Sequence, residues 1–116
     1  MRIMIKEFGL GFSLLNDYSN VSAITFTEVT SMRTHRVENI TGKKASLKIL
    51  CAITEDSAVL SVSEAPMGVD FFGDYVADEM ASPNSHPNIR LLLDTIEHDF
   101  RWTVSIEIND NLESPS

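Results

Sequence analysis

Two periods run through the apolar and polar positions of this chain, and they divide it into a strand-rich part and a helical part. Residues 3–8 (Ile3, Met4 and Ile5 before Phe8) read as a strand that Gly9 and Gly11 break. The β-branched and aromatic density of residues 21–30, with Val21, Ile24, Thr25, Phe26, Thr27, Val29 and Thr30, predicts another strand. Between them, Leu14 and Leu15 ahead of Asn16-Asp17 suit a helical turn or an apolar loop on the core. Residues 33–40, closed by Thr41-Gly42, add a polar edge strand. Leu47, Ile49, Cys51 and Ile53 then alternate, and Thr54-Glu55-Asp56-Ser57 supplies turn residues, so that 45–53 is expected to pair with 58–63 as a hairpin.

After Pro66 and Gly68 the period lengthens to 3.6. Val69, Phe72, Val76 and Met80 mark one side of a helix over about 69–81, and Asp70, Asp74 and Asp78 mark the other. Ser82-Pro83-Asn84-Ser85 ends it and caps the next. Ile89, Leu92, Leu93, Ile96 and Phe100 recur at helical spacing over 86–100, with Pro87 tolerated in the first turn. Alternation resumes at Trp102, Val104, Ile106 and Ile108 as a closing strand, and residues 109–116 read as a frayed polar tail. The sum is an α+β fold: a mostly antiparallel β-sheet with two consecutive helices packed on one face and a closing C-terminal strand. At 116 residues, with no internal repeat, residues 1–116 form a single globular domain.

Charge sharpens this picture. Residues 1–63 carry seven Lys/Arg against six Asp/Glu, and residues 64–116 carry two against eleven, which gives the net −8. Such a field disfavours nucleic acid and acidic membrane surfaces, both of which need a basic footprint, and attracts a basic protein or a cation. No apolar run reaches the ~18–20 residues that span a bilayer, and Lys6-Glu7 interrupts the N-terminus before a secretory core could form. The lone Cys51 excludes an internal disulfide and suits a reducing, cytoplasmic setting.

Sites of chemistry are sparse. His35, His86 and His98 have no recognised metal spacing, although Asp94 and His98 lie one helical turn apart. Lys43-Lys44 after Gly42 lacks both the first glycine and the terminal Ser/Thr of a phosphate loop. No nucleophile elbow is present. The expected partner-binding surface is therefore the acidic one: Asp70, Asp74 and Asp78, flanked by Phe71 and Tyr75, with Asp94 and Glu97 from the next helix. The reading is a small acidic binding protein, without cofactor or catalytic residues, that neutralises a basic partner such as a toxin or nuclease domain by occluding its active or nucleic-acid-binding surface. Immunity proteins and antitoxins offer the analogy, in size and charge alone. A small metal-dependent enzyme using Asp94 and His98, and a homo-oligomeric subunit with Trp102 buried between chains, are the alternatives.

Overall fold

The computed structural model describes residues 6–109. The strand expected at 3–8 and the tail at 109–116 lie largely outside that range. Four strands form one antiparallel sheet: β1 (Val21–Glu28), β2 (Thr34–Glu38), β3 (Val59–Leu60) and β4 (Trp102–Ile108), in the order β2-β1-β4-β3. Four helices accompany them: α1 (Lys44–Thr54), α2 (Ala65–Phe72), α3 (Tyr75–Ala81) and α4 (Pro87–His98). The fold is α+β, closed by a C-terminal strand, and no helix among the described residues is long and apolar enough to cross a membrane.

The sheet has two unlike faces because side chains alternate across a strand. Ile24, Phe26, Val37, Leu60 and Trp102 are buried beneath the helices. Thr25 pairs with Arg36 and Ser105, and Thr27 pairs with Thr34 and Thr103, so the opposite face is polar. There Arg36 donates to both Glu107 and Thr25 Oγ1. Trp102 is buried within the chain, where its Nε1 donates to Thr95 Oγ1 at 2.9 Å, and it is not available to lie between two copies. Arg33 caps its outer side, with the guanidinium carbon 5.5 Å from the Trp102 ring centre and 5.1 Å from that of Phe100.

The hairpin expected from 45–53 and 58–63 is absent, because the first of these segments is helix α1. A strand there would bury Leu47, Ile49, Cys51 and Ile53 but leave Leu50 in water, forfeiting roughly 1.5–3 kcal/mol. The helix buries all of them together with Leu50 and Thr54. Ala45, Lys48 and Ala52 also favour it by propensity. What alternated in sequence was one subset of a helix covered on two sides. Its supposed partner shrinks to β3, which pairs with β4 through Val59↔Thr103 and Leu60↔Trp102.

The helical segment expected over 69–81 is present but starts earlier, at Ala65, and is divided. Gly73 has φ +59° and ψ −126°, a backbone conformation that a side chain resists. The division is imposed by the N-terminal segment, which crosses here backbone to backbone. A Cβ on Gly73 would sit 2.5 Å from Glu7 O, and one on Gly9 would sit 1.9 Å from Asp70 O. Gly9 N donates to Phe71 O and Asp74 N donates to Glu7 O, both at 2.9 Å. Phe8 then stacks on Phe12, with ring centres 4.1 Å apart, and touches Tyr75 at 4.8 Å.

Candidate ligand-binding cleft

The N-termini of two helices open into one cleft. Gly42, Lys43, Ala45 and Ser46 bring the start of α1 to it, Ser85, His86 and Asn88 bring the start of α4, and Phe8, Phe72, Tyr75 and Ile89 form its apolar wall. Its volume is ≈ 440 Å³, within the range of small-molecule sites. Neither helix start is closed by a side-chain cap. The first amides of α1 have no intrahelical acceptor and its dipole adds partial positive charge, whereas at α4 Pro87 has no N–H, His86 N donates to Glu79 and Ile89 N to His86 O.

The side chains around this opening are positioned from several elements. His35 lies on the helix-covered face of β2, and its Nε2 is 2.7 Å from Asn88 Oδ1. An amide oxygen only accepts, so Nε2 is the donor in this contact. His86 presents its ring edge-on to Tyr75 at 6.1 Å, with Nε2 3.6 Å from Asp78 Oδ2. Lys6 meets the same carboxylate at 2.9 Å. That ammonium holds the Asp78 carboxyl below its ordinary value, and His86 adds to the effect. Lys43 forms no ion pair with a described residue, so its charge is available at the cleft. Arg36 borders the cleft too, but its guanidinium is engaged by Glu107 on the polar face of the sheet.

Beneath the cleft, Glu79 fixes the start of α4. It is wholly buried, and its carboxylate accepts from Asn84 N, His86 N and Arg90 Nε, each at 2.6 Å. Burial pushes this carboxyl up, but the two amides and the guanidinium outweigh it and hold it below the usual carboxylate range. Glu79 therefore sets the backbone position of His86.

The acidic residues expected to form one surface are only partly brought together. Asp70 stays exposed on α2, whereas Asp74 stands on the other side of the Gly73 break, with Oδ2 accepting from Glu7 N at 3.1 Å. Asp78 is taken up by Lys6 and His86. Asp94 lies 3.5 Å from Arg90 Nη1, and Glu97 is exposed beside His98 at 3.9 Å. Phe71 is half-buried against the core, and Tyr75 faces the cleft. Asp94, Glu97 and His98 offer ligand atoms within 4.8 Å of one another, but they share one surface turn of α4 and Asp94 already has its cation.

Sequence reasoning missed Glu79 and the His35–Asn88 contact. Glu79 had a signal: it falls three and seven residues after Val76 and Phe72, on the apolar side of the helix, where a carboxylate must find internal donors. The histidine contact had none, because its partners are 53 residues apart.

Comparison with known proteins adds a family. The chain belongs to the family described as "Uncharacterized protein conserved in bacteria (DUF2322)". The family model matches residues 8–106, a span that includes every cleft residue and the full sheet up to Ile106. No curated protein and no solved structure matches this DUF2322 member.

Proposed function

We propose that this protein is a binding module that holds a small molecule bearing a phosphate or carboxylate group in the cleft between α1 and α4. The observation that carries this reading is the convergence of the uncapped α1 N-terminus, Lys43 and two imidazoles in one concave site. Helix amides are fixed donors for an anion, and their dipoles strengthen the attraction. The apolar wall of Phe8, Phe72 and Tyr75 would take the rest of the molecule. The net −8 does not oppose this at short range, since exposed carboxylates beyond about 8 Å are screened at physiological salt. A reducing, cytoplasmic setting suits the buried Cys51 thiol.

The test is a calorimetric titration with a panel of phosphorylated and carboxylated metabolites, repeated on Lys43→Glu and His86→Ala. A ligand whose affinity falls about tenfold or more in Lys43→Glu, equivalent to ~1.4 kcal/mol, supports the reading. A panel without binders, or binding indifferent to both substitutions, overturns it. Capture of a basic toxin or nuclease domain is the second reading, favoured by the exposed Asp70, Glu97 and Asp99, which form no ion pair with Lys or Arg among the described residues. Asp70→Lys would weaken that association and leave small-ligand binding unchanged.

A further inference from the structure

We infer that a second concavity, between the start of β2 and α4, binds a free α-amino acid with an apolar side chain. Its volume is ≈ 370 Å³, and Arg33, Asp94, Pro87, Leu91, Phe100 and Trp102 line it. That size lies at the lower end of small-molecule sites. The concavity adjoins the first cleft at His35 and Pro87 but includes neither Lys43 nor His86, so it does not depend on the ligand assigned there.

Arg33 supplies the partner for the carboxylate. Its guanidinium lies over the Phe100 and Trp102 rings, which occupy its face and set its orientation. Nε is turned to Ser31 Oγ at 3.3 Å, while the two terminal nitrogens donate to no described residue. Glu28, which Arg33 influences electrostatically, is committed to the Ser31 and Thr30 amides. A stacked guanidinium with a free edge takes a carboxylate through two parallel hydrogen bonds.

Asp94 supplies the partner for the ammonium. Arg90 turns Nε to Glu79 at 2.6 Å, and only its Nη1 reaches Asp94, at 3.5 Å, beyond an ordinary hydrogen bond. The Asp94 carboxylate is therefore loosely held, and it is 37 % exposed. A cavity that offers a guanidinium from the β2 side and a carboxylate from α4 selects a ligand carrying both charges. A simple anion would face Asp94 unpaired, and a simple amine would face Arg33. An amino acid is also neutral overall, so the net −8 of the chain does not repel it. Pro87, Leu91 and Phe100 give its side chain an apolar seat.

Calorimetric titration of the whole protein with L-leucine and L-phenylalanine to about 10 mM, a range that reaches millimolar affinity, tests this. Each is compared with its N-acetyl derivative, which has no ammonium, and its amide, which has no carboxylate. The expected result is binding of the free amino acids and a loss of about tenfold or more for both derivatives. In Asp94→Asn the free amino acid loses a similar factor and N-acetylation then costs nothing further, and Arg33→Gln behaves likewise toward the amide. Asp56→Asn, in the turn after α1, keeps the wild-type affinity. Trp102 is the sole tryptophan, and its emission should change on binding because Arg33 lies over its ring. Circular dichroism establishes that each variant folds, and the derivatives test the wild type without any substitution. Neither heat nor a change in Trp102 emission from either amino acid, or derivatives that bind as well as the parent, overturns the inference. So does an N-acetylation cost that is the same in wild type and Asp94→Asn.

Discussion

Replacing Glu79 tests whether the start of α4 is held by one buried carboxylate. Glu79→Ala removes the acceptor for two backbone amides and one guanidinium at once. Each orphaned buried donor costs roughly 1–3 kcal/mol, but Arg90 is a quarter exposed and recovers water, so the parts do not add in full. Breaking a buried charged pair from one side typically costs about 3–5 kcal/mol, and that is the expected loss here. Against a total stability of roughly 5–15 kcal/mol, it is a large fraction. Glu79→Gln keeps one acceptor oxygen but turns an amide donor toward a backbone donor, and should lose about half as much. Urea titration followed by circular dichroism gives the midpoints, with unchanged m-values as the sign that only stability moved. The acid limb is a separate check. Because the folded carboxyl sits below its unfolded value of about 4.3, its contribution is complete above that pH and fades as pH falls through the folded value. Glu79→Gln should therefore flatten the acid loss of stability. If Glu79→Ala costs less than about 1 kcal/mol, or if Glu79→Gln leaves the acid limb unchanged, the carboxylate does not hold this helix start.

Further outcomes follow from other contacts. Gly73→Ala should destabilise by more than ~1 kcal/mol and speed proteolysis near residues 7–9, because its Cβ would meet Glu7 O at 2.5 Å. Thr95→Val should cost about 1–3 kcal/mol and alter the Trp102 fluorescence, since the buried indole N–H loses its acceptor. The Cys51 thiol, pushed up to about 12 by burial and then by Glu55, should resist iodoacetamide at neutral pH in the native protein and react only in denaturant.

The elements that could be read from the sequence are those whose apolar residues follow a single period. α4 buries one side, and β1 and β4 keep the strand alternation of their apolar residues even though β4 buries only Trp102, so each carries one period, and their expected ranges overlap the observed ones closely. α1 is covered on two sides, and its apolar positions satisfy both periods; only the cost of exposing Leu50 separates them. The break at Gly73 depends on a segment more than 60 residues away in sequence, since Glu7 and Asp74 are 67 apart. Nothing near Gly73 announces that a backbone will cross there. The cleft is similarly non-local, assembled from the segment around Phe8, β2, α1, α2, α3 and α4, so its histidines look isolated along the chain. The acidic stripe shows the opposite effect: Asp70, Asp74 and Asp78 share a face only if one helix runs through all three.

The central pairing of the sheet also governs how the chain can be made. Ser22 and Glu107 meet across 85 residues of sequence, so the β1–β4 ladder cannot begin until nearly all of the described chain has been synthesised. Until then β1 has only β2 beside it, and a lone two-stranded hairpin is marginal in water. Ile24 and Phe26, wholly buried at the end, spend that interval on an uncovered strand. Folding dominated by such distant pairing takes roughly milliseconds to seconds. The yield of native protein should consequently fall with rising temperature and chain concentration during refolding, through competition between β4 of the same molecule and the exposed strand of another.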